Sequence, residues 1–413
     1  MKRFVIILLT IILFADIKAQ KLSKEEWIRD IEYLKQTLPD KHIDLFSLKQ
    51  EDKFNRELDF LISKVNDLSD IEIAIMLKKT IVSLGDSYTD IKIENFIDDK
   101  KLPLQLFWFS DGLYVLQSIQ THKDIIEKKI LKINDTPIEI ISDSLSSLFI
   151  NINGSSAKKY IPELITNVHI LKYFDFISDE RIKITFSDGE FEEAKIIIPE
   201  PILRVNSVSF KSVATADYWE NEKEFFTKKY IPESKMLYMQ YNVCASKEYP
   251  VLFSNANSLP SFRDFVDKIE KDINELDIDK FVIDMRLNKG GSPFQGDGLI
   301  KTISQNEKIN GKGKLYIIVG HATHSTAIIN ALSFKEETDA VFVGERTGEK
   351  VNSYSEMRTF DLPFSRMMVT YSTKYSSKYA LDKAIIEPDF IIEESFDDFS
   401  NGVDPVLKWI EKQ

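Results

Sequence analysis

FVIDMRLNKGG (281–291) and LYIIVGHATHSTAIINA (315–331) decide the fold. Each opens with an unbroken apolar run of strand length and then breaks at glycine into a polar turn. Runs that are continuous rather than alternating are the pattern of strands covered on both faces, as in an α/β layer structure. The neighbouring sequence extends that pattern. MLYMQY (236–241) precedes it as a strand, and Ser261 caps a helix with Phe262, Phe265, Ile269, Ile273 and Leu276 on one stripe. Thr326–Phe334 reads as a helix, and Val341–Val343 and Met367–Tyr371 as further strands. From about residue 205 onward the order is therefore βαβ.

Upstream the periodicity changes. Ser23 with Glu26, and Ser69 with Glu72, have capping-box spacing ahead of apolar residues at helical intervals, and Phe54, Leu58, Leu61 and Val65 form another helical stripe. Gly85 stops the third helix, and the polar turn DSYTD (86–90) leads into a short strand at Ile91–Ile93. Residues 102–150 instead carry a hairpin at Asp111-Gly112, the strand Ile130–Ile133, and a helix from Ile138. This order of short strands and one helix suggests a compact peptide-docking module. A weaker helical stretch (155–179) and a second hairpin turning at Asp188-Gly189 follow.

A chain of 413 residues exceeds one simple core, so two or three domains are expected. The formal net charge of −12 leaves no basic stripe to neutralise phosphates, which argues against a nucleic-acid partner. Lys2 and Arg3 precede an apolar run from Phe4 to Phe14, with Ala19 as a small residue before the expected cut. That is the form of an export signal, too short to span a bilayer comfortably. An uncleaved anchor is the alternative, but stable membrane insertion is not expected once the signal is cleaved. Cys244 is the only cysteine, so no disulfide framework accompanies export, and a buried inert thiol is the expected role.

Three pieces carry chemistry. A serine hydroxyl needs a base to take its proton and fixed N–H groups to receive the developing charge. Ser325 follows a buried strand and opens a helix, where the N–H of Thr326 is free. It reads either as a nucleophile or as an ordinary helix N-cap. The turn at Gly290 and Gly291 reads either as an oxyanion cradle or as a plain strand-to-helix turn. Lys350 would serve as a base only if burial removed its charge, the alternative being a surface lysine. Glu336 either orients that lysine or ends the helix. His321 and His324 have H-x-x-H spacing, but no third ligand is placed, so neither a metal nor another cofactor is expected.

At these residues the chain resembles the C-terminal-processing (tail-specific) serine peptidase family. IDMRLNKGG (283–291), THSTA (323–327) and GERTGEK (344–350) match its motifs in order, with Leu362-Pro363, YSTKY (371–375), Pro388-Asp389 and GVDPV (402–406) as further matches. The resemblance implies an α/β core of ClpP/crotonase type at 205–413, behind a signal peptide (1–19) and an N-terminal helical domain (20–99). It further implies a small PDZ-like β-rich module (100–150) and a connecting segment of helices and a hairpin (151–204). It implies Ser325 as nucleophile, Lys350 as base, Glu336 as its acidic partner, and Gly290, Gly291 and Thr326 around the oxyanion hole. The implied function is an exported, periplasmic or extracellular endopeptidase acting on unstructured peptide or protein C-terminal segments. Two departures favour the alternative of a catalytically inactive peptide-binding relative. Tyr88 stands where members with a histidine base carry it, and Glu349 stands where a glycine is usual. Asp382 falls near the acidic position of the histidine branch. An acyl-CoA-handling enzyme shares only the architecture with this pattern.

Overall fold

The computed structural model describes residues 21–97, 100–250, 258–292, 294–350, 353–376 and 385–413. The expected export signal and Asp382 lie outside the described residues.

The parallel layer forms where the continuous apolar runs predict it. Met236–Tyr241, Lys280–Asp284, Leu315–Val319, Val341–Gly344 and Phe390–Ile391 pair in parallel, and Phe226–Ile231 closes one edge antiparallel. Alternate residues of these strands enter different cores. Leu237, Phe281, Ile283 and Ile317 pack with Phe262, Ile269 and Phe334 on one face. Tyr238, Val282, Tyr316 and Ile318 pack with Val406 and Ile410 on the other. Both faces are dry, which is why the strands read as unbroken apolar runs.

The three front helices, Lys24–Lys41, Glu51–Lys64 and Asp70–Val82, begin as the sequence indicates, and both capping boxes are formed. A second sheet is built from Leu104–Phe109, Gly112–Ile119, Lys129–Ile133, Ile182–Ser187 and Glu192–Ile197. The helices and this sheet share one hydrophobic cluster, in which Trp27, Leu34, Phe54 and Ile81 join Val115, Ile141, Ile184 and Phe186.

One expected strand belongs elsewhere. Met368–Ser376 does not extend the parallel layer; it pairs antiparallel with Ser353–Asp361 and with Asp90–Ile91 in a separate three-stranded sheet. Its partner strand is mixed polar and has no apolar signature in the sequence. Asp30, fully buried on the first helix, accepts the N–H groups of Phe364 (2.9 Å) and Ser365 (2.7 Å) and so docks this hairpin on the helices. The same strand holds the turn that carries Tyr88, because Thr370 Oγ1 donates to the Tyr88 carbonyl at 2.9 Å.

Candidate active site

Three chain segments converge at the C-terminal end of the parallel layer. After Lys280–Asp284 the chain is pinned by Asn288, which is fully buried. Its Nδ2 donates to the Tyr241 carbonyl (2.9 Å), its Oδ1 accepts the Gly290 N–H (2.9 Å), and its carbonyl accepts the His324 N–H (2.9 Å). One side chain thus ties the glycine turn to the neighbouring strand, while its backbone ties the turn to the serine loop. Gly290 has φ +91°, and a Cβ there would lie 2.7 Å from Ser325 Cβ and 2.9 Å from Thr326 N. Only glycine permits that approach.

The serine loop leaves Leu315–Val319 and is braced by buried Thr323, whose Oγ1 accepts from Gly320 N and donates to the Met285 carbonyl, both at 2.9 Å. Ser325 then adopts φ 56°, ψ −126°, and the helix Thr326–Glu337 begins at the next residue. Its side chain caps no helical N–H, so the ordinary N-cap role is not the one it plays. A non-glycine residue in such a conformation stores about 1–3 kcal/mol. The result is a strand–turn–helix elbow that presents a hydroxyl in place of capping the helix with it.

The oxyanion positions divide. Among the described residues the N–H groups of Gly291 and Thr326 donate to no backbone or side-chain acceptor, whereas the Gly290 N–H is held by Asn288. Gly290 therefore contributes close approach and not a donor. Cys244 walls the far side: its N–H donates to the Gly290 carbonyl (3.0 Å) and its carbonyl accepts from Ser292 (2.6 Å). Burial pushes its thiol up to about 11, so it is inert near neutrality, as expected.

The base position departs most from the expectation. Lys350 is not brought to Ser325. It lines a cavity of about 1180 Å³ beside the front helices, with Lys53, Arg56 and Lys79. Tyr88, His321, His324 and Gly348 instead line a different cavity of about 450 Å³. Glu336 is exposed at the far end of the helix that starts after Ser325, about 16 Å along its axis. The residue that does reach Ser325 is Glu349, 2% exposed. Its Oε2 accepts the Ser325 N–H and lies 3.2 Å from His324 Nδ1, and its Oε1 accepts the Tyr88 hydroxyl at 2.7 Å. The Ser325 side chain is also near enough to the Tyr88 hydroxyl to lower its pKa, against burial and the Glu349 charge. The segment is held in this register by Asn153 and Ser156, which donate to the carbonyls of Thr347 and Gly348, both at 3.0 Å.

Burial, above all, raises the Glu349 pKa, against the opposing hydrogen bonds from Ser325 and Tyr88. Burial and then the Glu349 charge hold Tyr88 well above the usual phenol range. His324 is pushed down to about 4 by burial and by Lys159, so it is neutral near pH 7 and its 3.2 Å approach to Glu349 is not an ion pair. Asp86, two residues before Tyr88, is held below its usual range by hydrogen bonds from His42, Thr89, Tyr88 N and Ser372, which outweigh its burial. This ring fixes the Tyr88 turn, and sequence reading did not find it. Among the described residues no group of three or more His, Cys, Asp or Glu stands together to hold a metal ion.

These elements define an α/β-layer protein with a strained serine at the mouth of its parallel sheet. The same fold occurs in mature CPAF complexed with lactacystin, with a TM-score of 0.64 at 10% identity, covering 94% of this chain and 97% of that one. Mature CPAF alone gives 0.62 at 11% identity over 94% and 96%. The photosystem II D1 C-terminal processing protease is a weaker likeness, 0.38 at 11% identity over 93% and 99%. No protein-family model and no curated protein matches the sequence. The likeness to CPAF shows a shared fold.

Proposed function

We propose that this chain is a serine-type peptidase of the tail-specific class, exported from the cell, that cleaves extended peptide or protein C-terminal segments through Ser325. The observation carrying this reading is the elbow at Ser325. Its hydroxyl is released from capping by a strained backbone, and two uncommitted N–H groups, of Gly291 and Thr326, stand beside it. Strain of this kind persists where the surrounding structure enforces it, here through Asn288 and Thr323. Residues 100–150 would act as the PDZ-like docking module ahead of the core at 205–413. Among the described residues no helix is long and apolar enough to cross a membrane.

A fluorophosphonate probe tests the reading. Wild-type protein becomes covalently labelled and degrades denatured casein, and Ser325→Ala does neither. Equal labelling of the two proteins would remove Ser325 from the mechanism.

The position of Lys350 favours a second reading, a peptide-binding relative without turnover. That protein binds extended peptides with an affinity unchanged by Ser325→Ala and leaves casein intact.

A further inference from the structure

With Lys350 facing another cavity, Ser325 is left with two unusual neighbours, Tyr88 and Glu349. We propose that these two form a proton relay for Ser325, with Tyr88 passing the serine proton on to the Glu349 carboxylate. The proposal rests on the serine-peptidase reading above and supplies the base that reading lacks.

The geometry is that of a chain with one direction. Tyr88 donates its only proton to Glu349 Oε1 at 2.7 Å, so its oxygen lone pairs are what it offers to the Ser325 hydroxyl. Glu349 cannot swing away, because its other oxygen accepts the Ser325 N–H and lies 3.2 Å from His324 Nδ1. Tyr88 cannot either: its N–H is bound to Asp86 at 2.9 Å and its carbonyl to Thr370 at 2.9 Å. The arrangement parallels a serine–histidine–carboxylate triad in which a phenol replaces the imidazole and a glutamate from the serine's own side of the fold replaces the acid.

The proton transfers balance without any ionised tyrosine. As Ser325 Oγ attacks the scissile carbonyl carbon, its proton moves to Tyr88 Oη and the original Tyr88 proton moves to Glu349 Oε1. The carbonyl π electrons move onto oxygen, which faces the N–H groups of Gly291 and Thr326. Collapse breaks the C–N bond, and the two protons return in reverse order, delivering one to the leaving amine. Water then repeats the sequence to release the acyl group. Tyr88 remains a neutral phenol throughout, as its raised pKa requires. The raised pKa of Glu349 makes it a stronger proton acceptor than an exposed carboxylate. The charged or titratable groups facing this pair are Asp86 from the Tyr88 turn, His324 from the serine loop, and Lys159 from the helix Ser155–Leu164. His324 is neutral near pH 7, and of the other two only Lys159 favours the Glu349 carboxylate.

The test is the rate of fluorophosphonate labelling of full-length protein as a function of pH. Tyr88→Phe and Glu349→Gln should each slow labelling by about 100-fold or more, the usual scale of a lost general base. Lys350→Ala should leave the rate unchanged. In wild type the rate should fall on the acid side with an inflection above 4.5, the ordinary glutamate value, and Glu349→Gln should lack that inflection. Labelling that is unaffected by Tyr88→Phe and Glu349→Gln, or abolished by Lys350→Ala, would overturn the relay while leaving the peptidase reading intact. So would an acid inflection that survives in Glu349→Gln. A wild-type protein that is not labelled at any pH refutes the peptidase reading itself, and the relay with it. The wild-type pH profile needs no variant, so it decides even if a substitution impairs folding.

Discussion

Glu394 offers a test of the electrostatics that does not depend on turnover. Its carboxyl lies beside an aromatic cavity lined by Phe107, Trp108 and Trp219, and its Oε2 accepts the Trp219 indole N–H at 3.2 Å. Oε1 is buried with no hydrogen-bond partner among the described residues. Burial raises its pKa from 4.5 to about 7, even with Arg286 nearby to oppose the shift. Each tenfold change in proton affinity is worth about 1.4 kcal/mol, so charging Glu394 in the folded state costs about 3 kcal/mol. For a carboxyl whose folded pKa lies above its unfolded one, stability is fully present below the unfolded value. It declines as pH rises through the folded one. Wild type should therefore lose about 3 kcal/mol from this group between pH 4.5 and 7, with little further change above. Glu394→Gln keeps an acceptor for Trp219 and removes the charge. It should match wild type near pH 4.5 and exceed it by about 3 kcal/mol at pH 8, read from urea unfolding midpoints at constant m-value. A difference between the two proteins that stays constant within about 1 kcal/mol across that range would refute the argument.

Three further substitutions probe the scaffold. Gly290→Ala places a methyl 2.7 Å from Ser325 Cβ at φ +91°, so it should abolish probe labelling by displacing the elbow and lower the melting temperature. Labelling at the wild-type rate would show that the glycine turn does not position the serine. Arg286 binds both Asp284 (2.8 Å) and Asp404 (2.8 Å), carboxylates with side chains 1% and 10% exposed. Arg286→Met strands both and should cost about 3–5 kcal/mol in chemical denaturation. Asp30→Ala removes the acceptor of two backbone N–H groups and should destabilise by about 2–4 kcal/mol. Because Asp30 only docks the hairpin, the labelling rate of the folded fraction should not change.

Much of the fold was legible because the decisive signals are local. Continuous apolar runs arise wherever both faces of a strand are covered, and capping boxes arise from bonds three residues apart, so neither needs knowledge of the rest of the chain. The segments IDMR (283–286) and VDP (403–405) can each be read locally, but what joins them is not local. Asp284 and Arg286 at one end meet Asp404 from the last turn of the chain, a buried charge cluster that closes the layer. The strand Ser353–Asp361 was missed because its pairing with Met368–Ser376 follows from a turn docked by Asp30 far upstream. The Asp86 ring was missed for a similar cause: His42, Thr89 and Ser372 come from three separate segments and carry no shared spacing.

At the site, the segment expected to carry the base does lie near Ser325, but Glu349 and not Lys350 is the residue that reaches it. Along residues 347–350 burial alternates, with Thr347 and Glu349 inside and Gly348 and Lys350 less so. Burial that alternates in this way puts neighbouring residues in different surroundings, so a motif match leaves open which of two neighbours faces the serine. The choice is made by anchors outside the motif. Asn153 and Ser156 hold the carbonyls of Thr347 and Gly348, and that register turns position 349 toward Ser325 and position 350 toward the front helices. A glycine at 349 would have left the space beside Ser325 open. A glutamate fills it and finds Tyr88 at hydrogen-bonding distance. The two departures from the family pattern, which looked in sequence like independent losses, are therefore one hydrogen-bonded unit. Tyrosine in place of histidine and glutamate in place of glycine make sense together, because each is the other's hydrogen-bond partner. A double-mutant cycle between Tyr88→Phe and Glu349→Gln should accordingly show strong non-additivity in the labelling rate, the double variant being no slower than either single one. Additive losses would mean that the two residues act on Ser325 separately.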